Sequence, residues 1–166
     1  AQRDPSGNAT TGIVRKSTSS TSFVDDDKVK SSSTSGDNAW DATKYLNIWV
    51  CYMFGRSLGY ATFPGGAPEK DGVVINYDVF GTIGNLRAPF NKGRTATHEV
   101  GHWLGLRHIW GDDSTCPLAN TNTTKDYCAD TPAASEPNYE CIVVNTCTVT
   151  PGNDMIQNYM DYTNDA

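Results

Sequence analysis

The sequence predicts an α+β domain, on three observations. Tyr45–Phe54 (YLNIWVCYMF) is a short, near-continuous apolar run rich in β-branched and aromatic residues, and Gly72–Asp78 (GVVINYD) is a second. Arg94–Leu104 (RTATHEVGHWL) carries apolar residues at helical spacing. The 166 residues are one domain's worth, read as residues 1–105 and 106–166 forming two parts of a single unit.

The elements follow in order. Residues 1–44 are polar, with Ser/Thr-rich loops at Ser17–Ser22 and Ser31–Ser35; Thr11–Lys16 (TGIVRK) is a candidate short strand. Tyr45–Phe54 stops at Gly55, and its length and composition predict a buried central strand. Residues 55–72 hold Gly55, Gly59, Pro64, Gly65, Gly66, Pro68 and Gly72, and read as loop; residues 79–93 do the same. In the helix, Ala96, Val100, Trp103 and Leu104 form the apolar face. Thr95 or Asn91 is the candidate N-cap, and Gly105 stands where the helix stops. Residues 111–154 are irregular, and residues 155–162 (MIQNYMDY) form a last ordered element.

Composition narrows the function. The chain is 37% hydrophobic and 19% charged, with a net charge of -6, which suits a loop-rich globular protein rather than a disordered one. It has no Lys/Arg cluster, which argues against a nucleic-acid partner, and no apolar run of membrane-spanning length. The acidic balance is compatible with cationic substrates or calcium. No signal peptide is visible, so a chain starting at Ala1 is expected to be a mature form or an excised domain, and it is taken to act as a monomer. Four of the five cysteines (Cys116, Cys128, Cys141 and Cys147) lie in the irregular last third, where disulfides staple a region with little core; Cys51 is the fifth. That points to secretion into an oxidising compartment. The odd count leaves one thiol over or a partner cysteine outside the chain.

The chemistry is carried by His98 to His108, HEVGHWLGLRH. His98 and His102 are four apart, so on a helix they project from one face, one turn apart, at a spacing that one tetrahedral zinc bridges. Glu99 lies beside such a metal, where it can take a proton from water. Gly105 lets the chain turn, and the turn brings back His108 as third ligand. Three protein ligands leave a position open for water, as catalytic zinc sites do. The chain's three histidines all fall in this motif. Two other readings use the same residues: a metal-stabilised binding module without turnover, and a structural zinc domain in which Asp112 or Asp113 adds a fourth ligand. The presence of Glu99 favours the enzyme.

The motif matches the metzincin zinc signature H-E-x-x-H-x-x-G-x-x-H, and HEVGHWLGLRHIWGD, YLNIWVC and QNYMDY resemble the pappalysin family within it. The resemblance implies a twisted mixed β-sheet, an active-site helix and an irregular C-terminal subdomain with a Met-turn. It implies that Met160 forms an apolar floor under the zinc and that Tyr162 hydrogen-bonds the tetrahedral intermediate. It implies calcium in the loop after the helix, with Asp112, Asp113, Asp126, Asp130 and Thr131 as oxygen donors. It pairs Cys116 with Cys147, and Cys141 with a cysteine beyond Ala166; Cys51 is then a buried thiol or pairs upstream. Family members carry a strand and helix before this chain's start and a helix after the Met-turn, so the chain is expected to be a core shortened at both ends. The implied activity is zinc-dependent hydrolysis of peptide bonds in extended protein or peptide substrates, held against an edge strand. Gly72–Asp78 and the glycine-rich segment after it are the expected edge. Some members cleave before Arg or Lys, and Asp165 is the candidate acidic wall for that subsite.

Overall fold

The computed structural model describes residues 1–117 and 125–165. Its sheet has three strands: β1 (Ile48–Cys51), β2 (Gly59–Ala61) and β3 (Val73–Asn76), in the order β1-β3-β2. β3 pairs parallel with β1, Ile48 opposite Val73, and antiparallel with β2, Gly59 opposite Ile75. One helix, α1 (Arg94–Trp103), crosses the sheet. The mixed sheet and single long helix make the expected α+β fold.

β3 is central because all four of its residues are buried. Val73 and Ile75 pack with Val79 against Ala96, Val100 and Trp103 of α1, while Val74 packs on the other face with Trp49, Met53, Phe23 and Val29. An apolar run such as Val73–Val74–Ile75 suits a strand covered on both faces, and the buried Asn76 that follows donates to Met53 O and Ser57 O. Full burial of a Val, Ile or Met side chain such as Val73, Val74, Ile75, Val79 or Met53 contributes about 1.5–3 kcal/mol. Trp103 also donates Nε1–H to Asp71 Oδ1 at 2.6 Å, fixing the end of α1 to the start of β3.

Several elements differ from the sequence reading. β1 is an edge strand, not a central one: only Trp49 in it is buried, and Ile48 and Val50 are exposed. The run 45–54 is apolar on both faces, but its outer face is not covered by the described residues. Thr11–Lys16 forms no strand, and Ile13 and Val14 there stand exposed. β2 lies inside the stretch read as loop; three residues bounded by glycine- and proline-rich sequence give no alternation to detect. Asp78 falls in a 3-10 turn (Tyr77–Val79) rather than in the strand. Leu104 sits past the helix and is exposed. Neither Thr95 nor Asn91 caps α1: the N-cap is Gly93, at φ 80° and with no side chain to offer. Residues 155–162, read as a last ordered element without a type, consist of turns and bends.

Cys116 and Cys147 are joined by a disulfide, the pairing the resemblance implies. It closes a loop of 31 residues, for which chain entropy contributes roughly 3–4 kcal/mol. It ties down an irregular region whose own core is small: Ile109, Trp110, Ala134 and Met160. Cys51 is half-buried, which pushes its thiol up to about 11, and Cys141 is exposed. No described helix is long and apolar enough to cross a membrane.

Candidate active site

α1 presents His98 and His102 one turn apart, and the chain then reverses. Leu106 N–H donates to Gly101 O (2.9 Å) and Gly105 N–H to His102 O (2.9 Å), a Schellman-type ending. It needs a left-handed residue between, and Gly105 supplies it at φ 96°. The reversal carries His108 back to the helix. Nε2 of His108 lies 3.0 Å from Nε2 of His102 and 3.2 Å from Nε2 of His98.

The other ring nitrogens explain how the rings are held. His98 Nδ1 donates to Tyr159 O (2.7 Å), and His102 Nδ1 to Leu106 O (2.8 Å). A carbonyl oxygen only accepts, so both protons sit on Nδ1 and both Nε2 atoms are bare lone pairs. His108 Nδ1 meets Asp112 Oδ1 at 2.6 Å, which puts its proton on Nδ1 as well. Burial holds His98 down at about 4 and lowers His102, so these two rings are neutral at pH 7. Three acceptor lone pairs thus converge. A proton on His108 Nε2 can serve only one of its neighbours, whereas a dication at the centre serves all three. Tetrahedral zinc with imidazole ligands sets nitrogens on the order of 3.3 Å apart, close to the spacing found here. Among the described residues this is the one group of three or more His, Cys, Asp or Glu whose ligand atoms gather within 4.8 Å.

Glu99 is buried between α1 and β2. A Cβ on Gly59 would come within 3.0 Å of its Cγ, so glycine at 59 makes room for it. Burial, helped by the charge of Asp25, pushes its carboxyl up to about 8. In metal-free protein the sign is definite. The folded state holds a proton on Glu99 that the unfolded state has released above about 4.5, so stability falls as pH rises from there toward 8. Glu99→Gln is expected to flatten that slope by a few kcal/mol in chelator-treated protein, measured by denaturant melts at pH 5 and 8. Equal slopes in the two proteins would show that Glu99 is not the group responsible.

Met160 is buried against α1, where its Sδ fills the space a side chain on Gly101 would need. Tyr162 packs its ring on His108 (4.7 Å between centroids), His98 (5.7 Å) and Trp110 (4.8 Å), and burial raises its phenol to about 12. His98, Glu99, His102, His108, Tyr162 and Asp165 all line one cleft of about 670 Å³. Asp165 also accepts a hydrogen bond from Lys92 N–H. The wall of that cleft is β2, one of the two edge strands of the sheet, and not β3, which is paired on both sides.

Among the described residues, no three carboxylates of the calcium candidates gather within 4.8 Å of one another. Asp113 is engaged by Lys125 Nζ (2.6 Å) and Thr115, and buried Asp126 accepts from Cys128 N–H. Thr131 is buried and Asp130 exposed. Asp112 belongs with His108.

Two contributors were missed in the sequence. Arg94 Nη2 donates to the carbonyls of Gln157 (3.2 Å) and Asn158 (3.1 Å), and its guanidinium lies over Tyr159. It thereby holds the turn whose next carbonyl fixes His98; its position four before His98 on the same helix face was the available signal. Trp110 stacks flat on His108 (4.3 Å, 3°).

The profile of the M43 peptidase family, described as pregnancy-associated plasma protein-A, matches residues 29–166. An extracellular metalloprotease of Colletotrichum graminicola is 44% identical over 129 residues, 73% of this chain and 44% of that protein. One of Neurospora crassa is 36% identical over 130 residues, 74% of this chain and 42% of that one. Mature mirolysin of Tannerella forsythia, solved with a cleaved peptide, superposes with a TM-score of 0.88 at 49% identity, over 99% of this chain and 62% of that one. The chain spans less than half the length of these curated relatives.

Proposed function

Given that the chain belongs to the pappalysin (M43) family of metallopeptidases, we propose that it is the zinc-binding core of a secreted endopeptidase. The observation that carries this is the set of three Nε2 lone pairs converging in an open cleft, with every Nδ1 already committed. His98, His102 and His108 would hold the ion. Zinc, when bound, supplies a lowered pKa for water and positive charge for the carbonyl oxygen.

The chain's own residues do the rest. Glu99 takes the proton from the attacking water and returns it to the leaving amine. A cation at the triad favours its carboxylate form, countering the burial that otherwise holds it protonated. Tyr162, kept neutral, offers its hydroxyl to the oxygen that gains charge. β2 pairs with an extended substrate by main-chain hydrogen bonds, which places the scissile bond between Glu99 and the histidines. Asp165 in the cleft favours Arg or Lys after that bond. Met160 serves as the apolar floor, and the 1–105 and 106–166 parts meet at the cleft. Calcium at Asp113, Asp126, Asp130 and Thr131 rests on the resemblance alone.

The test is digestion of a peptide library with and without chelator. Cleavage that vanishes with chelator and returns with zinc is expected, with Arg and Lys enriched after the cut. Undiminished cleavage in chelator refutes the assignment.

A further inference from the structure

His108 is held differently from its two partners. His98 and His102 are on the helix and donate to backbone carbonyls; His108 is on the irregular segment after it, and its Nδ1 meets a carboxylate. That carboxylate, Asp112, is placed by an unusual backbone. Gly111 and Asp112 are both left-handed, at φ 67° and 57°, and Gly111 N–H closes the turn on His108 O at 2.8 Å. A left-handed conformation is costly for a non-glycine residue, though Asp is among the residues that tolerate it best. Asp112 is mostly exposed, so burial does not place it, and its one ion pair among the described residues is with His108. Neighbouring Asp113 is occupied by Lys125. Trp110, stacked on the same imidazole, fixes the ring plane in which the Asp112 contact lies.

We propose that Asp112 is a positioning residue for the metal: it locks the Nδ1–H tautomer of His108, aims Nε2 at the other two and makes it a stronger donor. This assigns Asp112 to the imidazole rather than to calcium, and it rests on the zinc reading above.

The experiment measures zinc dissociation constants by competition with a chromophoric chelator for the unaltered protein, D112G, D112N and H108A. Glycine keeps the left-handed backbone while removing the carboxylate, so loss of the turn is not confused with loss of the contact. D112G is expected to bind zinc 10–100-fold more weakly, the usual cost of losing a histidine's outer partner. D112N, whose amide oxygen still accepts from Nδ1, should recover part of that. Imidazole ¹⁵N shifts of metal-free protein give a second readout: His108 protonated at Nδ1 in the unaltered protein, a tautomer mixture in D112G. Zinc affinity of D112G within twofold of the unaltered protein would overturn the proposal while leaving the zinc site standing. If the unaltered protein binds zinc no better than H108A, the zinc reading fails, and the proposal with it.

Discussion

Glu99→Ala is expected to keep zinc and lose peptide hydrolysis by roughly 10²–10⁴-fold in kcat/KM, the range a general base contributes. Retention of metal follows from geometry: the ligand atoms that gather are those of the three histidines, and the Glu99 carboxylate is not among them. Loss of turnover follows from position and charge. The carboxylate lies in the cleft beside the histidines, in surroundings that make a proton easy to keep. A group whose affinity for a proton is raised by burial and lowered by a nearby cation is suited to taking one and giving it back. Because Glu99 is buried, alanine also leaves a cavity, so Glu99→Gln is the control that keeps the volume and removes the base. Zinc content, a melting curve and kcat/KM on one peptide decide the matter. Glu99→Gln cleaving at the unaltered rate would remove Glu99 from the reaction.

His102→Ala is expected to weaken zinc binding by more than about a hundredfold, beyond what an outer-shell change costs, and to abolish cleavage at ordinary zinc concentrations. His102 is buried, packed on Phe63 at 5.1 Å and tied to Leu106 O, so its Nε2 is among the most firmly aimed of the three. The loss is also visible without an assay of activity. A ligand that binds only the folded state stabilises it by about 4 kcal/mol at a thousandfold excess over its dissociation constant. The unaltered protein should therefore melt several degrees higher with zinc than with chelator, and His102→Ala should not respond. A zinc-induced shift in the variant equal to that of the unaltered protein would mean that the ion sits elsewhere.

The metal motif was legible in the sequence because its geometry is local. An interval of four puts two rings on one helix face, and a glycine that alone tolerates φ 96° explains the return of the third. What aims those rings was not legible. Arg94 showed only its place on the helix face of His98; the carbonyls that it and His98 reach lie more than sixty residues away, and backbone carbonyls leave no trace in residue identity. The sheet was half legible. β3 showed itself as an apolar run, yet β1 looked as buried as β3, since hydrophobicity does not reveal whether a strand has one neighbour or two. β2 was hidden because only Tyr60 in it favours a strand, while Gly59 and Ala61 owe their extended form to pairing with β3.

The brevity of that free edge reaches beyond catalysis. An open row of N–H and C=O groups is a template on which copies of a protein can polymerise, and chains protect themselves by keeping such rows short. Three residues, begun by a glycine with no side chain to interlock, offer too little rail for a second molecule of the same kind to lodge permanently.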